Sequence, residues 1–324
     1  MSNQRTHHVT TTDGVTIGGT VHGDGPPIVF LQGLIGDGDI DWNWVVEHLT
    51  DRFTCHLPSM RGRGLSGDHP DLGTSRIAAD YVTYVDTIGE PCGLVGWSGG
   101  ASQTLAVAAQ SELVSAVAPW EPVAASTFDE QTQAAVGDAL TRTGELAAEG
   151  NLTAAVRAFA RFPFTDQEVV VAGDAGYFES AARYVPNLLN LFQQMLAEDE
   201  APVVDDPAAL GTISAPVLVL KGSDTKPFFT TSARHVAAHV PNARIQEIPG
   251  AGHAAPLTHP EALAEALAEF FASRHPSSRP DPARLEPSGT TRRPTLSTSS
   301  GGRADNELHS AVRQFTRRKD DLMP

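Results

Sequence analysis

The sequence is short of several things, and each shortage narrows what the protein can be. Only two cysteines, Cys55 and Cys92, occur in 324 residues. They cannot build a multi-bridge framework, so a reducing cytoplasm is the simplest location. No apolar run approaches the roughly eighteen residues of a membrane span. Met1 to Gly14 is polar and lacks the basic-then-apolar order of a signal segment. Positive charge is scarce: 23 Lys and Arg stand against 39 Asp and Glu, a net charge of -16. Such a surface repels phosphate backbones and anionic lipid, so neither nucleic acid nor membrane is an expected partner. An uncharged or weakly polar small molecule fits better. No histidine, cysteine or carboxylate cluster has metal-ligand spacing, so neither metal nor cofactor is expected.

What is present describes an α/β protein. Val15 to Val21, Ile28 to Gln32, Arg52 to Leu57, Cys92 to Trp97, Val114 to Trp120, Pro216 to Leu220 and Arg244 to Ile248 are short apolar strands. Helical patterns alternate with them. Ser75 to Ile88 aligns Ile77, Tyr81, Val85 and Ile88 on one face, and Ala101 to Gln110 is a small-residue helix. Phe228 to Val240 is helical, and Pro260 opens a helix with Leu263, Leu267, Phe270 and Phe271 on one face. This alternation predicts a mostly parallel sheet with helices on both faces. Residues 126–210 break it: they are helical, carry Phe162, Phe164, Tyr177, Phe178, Tyr184 and Phe192, and hold no clear strand pair. They form a helical insertion expected to sit as a cap over the ends of the strands, most of its aromatics packing the insertion's own core. The expected organisation is an α/β core over 1–125 and 211–275, a helical cap over 126–210, and a tail over 276–324. The tail is rich in Ser, Thr, Pro, Gly and Arg, predicts disorder, and allows one short helix over Asn306 to Lys319.

The chemistry centres on Gly96-Trp97-Ser98-Gly99-Gly100, which follows a buried strand and precedes a helix. Small residues on both sides let the chain turn sharply and project Ser98 from the strand end, beside a helix N-terminus that favours developing negative charge. A serine hydroxyl needs a base at neutral pH. Of twelve histidines, His253 lies in the Gly-rich loop Pro249-Gly250-Ala251-Gly252-His253, after the last strand and before the last helix. That places it at the same sheet edge as Ser98. The base needs an orienting carboxylate. Two positions compete: Glu121, directly after the strand ending at Trp120, and Asp224, after the strand ending at Leu220. Buried Glu121 would need a partner such as histidine; Asp224 also suits a turn or helix cap beside Ser223. The oxyanion donors expected are the N–H of Gly99 and one from the loop Gln32-Gly33-Leu34-Ile35-Gly36, Leu34 first and Gly33 next.

With the order Ser98, acid, His253, the chain resembles the α/β-hydrolase family from about Gly14 to Ser273. Met60-Arg61-Gly62-Arg63-Gly64-Leu65-Ser66 is similar to that family's Arg-Gly-x-Gly-x-Ser loop. The resemblance implies a Ser–His–acid hydrolase with a cap inserted after strand six. Gln32-Gly33 departs from the family's usual His-Gly, and Asp224 stands one residue closer to its glycine than the usual acid. Glu121-Pro122 is similar to a branch whose acid follows strand six, which includes lactonases that open zearalenone; the insertion carries none of the four tryptophans. The reading preferred is a serine hydrolase of a carboxylic ester or lactone, with Glu121 as acid and Asp224 as the alternative. Carbon–carbon bond hydrolysis or cofactor-free perhydrolysis by the same residues, and a non-catalytic ligand receptor, are the alternatives.

Overall fold

The strands are read most easily from their burial. In a computed structural model that describes residues 5–273, all residues of Pro27–Leu31 and Cys92–Trp97 are buried, because helices cover both faces of the sheet. Alternate residues serve opposite faces. Ile28 and Phe30 join one apolar cluster with Trp42, Val45, Leu263 and Phe271, whereas Val29 and Leu31 join another with Ile77, Tyr81, Leu105 and Val236.

Eight strands form one sheet: β1 (Arg5–Thr10), β2 (Thr16–His22), β3 (Pro27–Leu31), β4 (Thr54–Pro58), β5 (Cys92–Trp97), β6 (Val114–Trp120), β7 (Val217–Gly222) and β8 (Ala243–Ile248). Their order is β1-β2-β4-β3-β5-β6-β7-β8. β2 is antiparallel to both neighbours, β1 and β4, and the remaining pairs are parallel. From β3 the chain steps to one side into β4, then returns across β3 to form β5. The order therefore reverses beside β3 and β5; in open α/β sheets ligands bind outside the carboxyl ends of the strands at such a reversal.

The predicted strands all form, with ends shifted by one or two residues. Two elements were not foreseen. β1 is an exposed edge strand with only Val9 buried, so it carries no apolar alternation strong enough to read. The helix Gly38–Val46 begins with glycine and acidic residues, but Asp37 caps it by accepting the N–H of Ile40 at 2.9 Å, and Trp42, Val45 and Val46 bury its inner face.

Between β6 and β7 the chain is helical, with longer helices at Glu130–Ala148, Leu152–Ala160, Asp166–Asp174 and Val185–Met195. The expectation that its aromatics mostly pack among themselves needs correction. Phe164 stacks on Trp97 with centroids 6.0 Å apart, the Tyr177 hydroxyl donates to Asp41 at 3.0 Å, and the Tyr184 hydroxyl donates to Asp37 at 2.6 Å. These rings are seated on the end of β5 and on the N-terminal turn of the helix Gly38–Val46 with its cap. Among the described residues, no helix is long and apolar enough to cross a membrane. The tail over 276–324 and its short helix lie outside the described residues.

Candidate active site

β5 runs straight into Ser98, whose backbone adopts φ 58°, ψ -118°. A side chain in that region costs of order 1–3 kcal/mol and persists only where the surroundings enforce it. The glycines around it do the enforcing. A Cβ on Gly100 would collide with the carbonyl of Gln32, and one on Gly96 with the carbonyl of Gly100, so the helix Gly99–Ala108 can press against β3 and β5 only through glycine. Ser98 is half-buried. Among the described residues its hydroxyl has no hydrogen-bond partner.

The neighbouring strand ends in the same way. Trp97 of β5 is in register with Trp120 of β6, which places Ser98 and Glu121 side by side; Ser98 donates its N–H to the Trp120 carbonyl at 3.0 Å. Glu121 has φ 47°, and these two are the only non-glycine residues with positive φ among those described. Glu121 is 0% exposed. Its Oε1 accepts the Gly222 N–H at 2.9 Å, and its Oε2 accepts the Thr225 hydroxyl at 2.9 Å and meets His253 Nδ1 at 2.7 Å. A buried carboxylate without partners would be costly; here both oxygens are occupied.

His253 is 2% exposed and gripped from several sides. The indole N–H groups of Trp97 and Trp120 both donate to its carbonyl, at 2.9 and 3.0 Å. Phe229 stacks on its ring, centroids 3.9 Å apart and planes 14° from parallel. With Nδ1 on Glu121, Nε2 is the nitrogen left for a reacting group. Among the described residues no hydrogen bond joins Ser98 to His253; hydrogen bonds of reacting groups are often long without substrate and tighten when it binds.

Asp224 stands elsewhere. It is exposed, and its carboxylate accepts the Ser223 hydroxyl at 2.7 Å, with no contact to His253. The loop after β7 supplies donors instead, the Gly222 N–H and the Thr225 hydroxyl, to a carboxylate from the next strand. Gly222 lies so close to the Ala251 carbonyl that a Cβ would not fit. That close crossing fixes the loop and leaves Asp224 facing solvent.

Of the two oxyanion candidates after β3, Gly33 is excluded: its N–H donates to Asp41 Oδ2 at 2.7 Å. The Leu34 N–H has no acceptor among the described residues, and Gly99 opens its helix, where an N–H has no acceptor in a preceding turn. The loop is braced from behind. Gln32 donates to the Gly36 carbonyl at 2.7 Å and accepts the Met60 N–H at 2.8 Å. Arg63 donates to the carbonyls of Leu34 and Gly36 at 2.8 and 2.9 Å. Burial pushes the Asp41 carboxyl up to about 7, opposed by the Gly33 N–H, and burial draws the Arg63 guanidinium down to about 10. Sequence reasoning missed the roles of Trp97, Trp120, Phe229, Thr225 and Asp41; the two tryptophans directly preceding Ser98 and Glu121 were the available signal. Among the described residues, no group of three or more His, Cys, Asp or Glu could hold a metal ion.

A family model described as the alpha/beta hydrolase family matches residues 21–266. The chain belongs to the alpha/beta hydrolase family. The mostly parallel eight-stranded sheet flanked by helices agrees with that membership. A Mycobacterium tuberculosis protein carrying the name non-heme bromoperoxidase BpoC is 29% identical over 266 residues, covering 78% of this chain and 96% of that one. A pimeloyl-[acyl-carrier protein] methyl ester esterase of Xanthomonas campestris is 28% identical over 264 residues, covering 78% and 98%. Among solved structures, an alpha/beta hydrolase from Sphaerobacter thermophilus is 28% identical, with TM-score 0.65 over 82% of this chain and 100% of that one. Relatives with esterase names support a hydrolase.

Proposed function

We propose that this alpha/beta hydrolase cleaves a carboxylic ester or lactone through a covalent acyl-enzyme on Ser98. The observation that carries the reading is the buried 2.7 Å contact between Glu121 and His253 Nδ1, beside a strained Ser98 on the adjacent strand end. Glu121 orients the ring and stabilises the imidazolium. Nε2 of His253 takes the Ser98 proton as Oγ attacks the carbonyl carbon. The Gly99 and Leu34 N–H groups receive the oxyanion. His253 then returns its proton to the leaving alcohol, and water attacks the acyl-enzyme with the roles reversed. In a lactone the leaving alcohol stays tethered to the acyl group.

Phe164, Tyr177 and Phe229 pack around Trp97 and His253 and hold the base in an apolar setting. A cytoplasmic location fits the two buried, unbridged cysteines. Turnover of a panel of esters and lactones by the wild type, lost in Ser98→Ala with the fold intact, supports the scheme; equal turnover by both proteins refutes it. The name of the mycobacterial relative favours one second reading, perhydrolysis, in which hydrogen peroxide replaces water in attacking the acyl-enzyme. Peracid formation from a carboxylic acid and peroxide, dependent on Ser98, separates that reading from simple hydrolysis.

A further inference from the structure

We propose that Glu168, carried by the insertion, is a positioning residue for His253, so that seating the cap sets the base in its working orientation. The inference rests on the reading of His253 as base. Glu168 lies in the helix Asp166–Asp174 and is 4% exposed. It forms a capping box with Thr165: its N–H donates to Thr165 Oγ1 at 3.2 Å, and its Oε2 accepts the Thr165 N–H at 2.8 Å. The helix end needs no more from this side chain. The second oxygen, Oε1, accepts the N–H of Ala254 at 2.6 Å, across to the core.

That N–H belongs to the peptide unit joining His253 and Ala254. The carbonyl of the same unit accepts the two indole N–H groups of Trp97 and Trp120. The plane is therefore held at its oxygen by the core and at its nitrogen by the cap. Held at the oxygen alone, it could swing about that anchor, and the Cα that carries the imidazole would swing with it. The 2.7 Å contact with Glu121 is the first thing such a swing would lengthen. The loop is also shaped around the carboxylate: a Cβ on Gly252 would lie 2.6 Å from Glu168 Oε1 and 2.8 Å from its Cδ and Oε2. Glycine at 252 is thus required by a residue of the insertion.

The ionisable groups around the His253 loop are Glu121 after β6, Glu168 and Asp166 on the cap helix, Lys226 and Asp224 after β7, and His259 before the last helix. Loosening the ring from Glu121 leaves the imidazolium less stabilised, so the acid limb of the rate profile moves to lower pH. Removing the Glu168 charge could move it the same way, and Gly252→Ala separates the two causes because it displaces the carboxylate without removing it.

The test uses the full chain, p-nitrophenyl acetate as substrate and a fluorophosphonate to count active sites. Glu168→Ala, Glu168→Gln and Gly252→Ala are each expected to lower kcat per labelled site by roughly 10- to 100-fold and to shift the acid limb downward. Gly252→Ala should add little once Glu168→Ala is present, since the clash is gone. Thr165→Ala, which breaks only the capping box, should lower the melting temperature and leave kcat and the limb in place. Folded Glu168→Gln and Gly252→Ala proteins with wild-type kcat and an unmoved limb would overturn the inference while leaving the reading of Ser98 intact. A folded wild type that takes up no phosphonate at Ser98 would overturn both.

Discussion

Two adjacent strands end on the same backbone anomaly and use it for opposite purposes. β5 leads into Ser98 and β6 into Glu121, neighbours in register, both with positive φ. At Ser98 the strain presents a half-buried hydroxyl without a hydrogen-bond partner among the described residues. At Glu121 it turns a carboxylate inward, where it is fully buried and bonded to Gly222, Thr225 and His253. One site is strained to leave a group free and the other to leave none. The comparison teaches that backbone strain at a strand end singles out a candidate functional position, while the partners of the side chain separate one proposed role from the other.

The largest effect that could break the comparison is on turnover. Ser98→Ala is expected to remove hydrolysis by about 10⁵- to 10⁶-fold in kcat, with circular dichroism unchanged, since only the attacking group is lost. Glu121→Gln should cost about 10⁴-fold by misdirecting the His253 tautomer. Asp224→Asn should change kcat less than about three-fold, because its carboxylate touches only Ser223. An assay in which the last two variants trade places would assign the acid to Asp224 and dissolve the comparison.

Stability effects are smaller. Asp41 couples the loop after β3 to the cap through Gly33 and Tyr177. Burial raises its folded value from 3.8 to about 7, so the folded state binds this proton more tightly than the unfolded chain. The contribution is fully present below about 4 and is lost as pH rises through about 7, up to about 4 kcal/mol in all. Denaturant titrations of wild type and Asp41→Asn from pH 4 to 8 check this: stability should fall less with rising pH in the variant than in the wild type. Smallest of all, Ser98→Gly should unfold later than Ser98→Ala by about 1 kcal/mol, because glycine relieves the positive φ.

Much of this was legible beforehand, for reasons that differ by residue. Ser98 and His253 are placed by local signals, a glycine-flanked turn and a glycine-rich loop, each fixed by its neighbours in the chain. The buried strands announce themselves as continuous apolar runs. The sequence favoured Glu121 over Asp224 without excluding the latter, since both follow apolar strands; the difference lies in the crossing of Gly222 and Ala251, 29 positions apart in the chain. Gly33 stood second to Leu34 as a donor, and Asp41, on the next helix, holds its N–H and removes it. The insertion is legible as helical, but the partners of its aromatics are not, and Phe164, Tyr177 and Tyr184 rest on the core.

The most direct measurement is intact-mass and peptide mapping after exposing wild type and Glu121→Gln to a fluorophosphonate. One adduct on the wild type, located at Ser98 and formed at least about a hundred times faster than in the variant, is the result predicted for a hydroxyl activated through His253 and Glu121. A folded wild type that stays unmodified, or two proteins that react at the same rate, would contradict it.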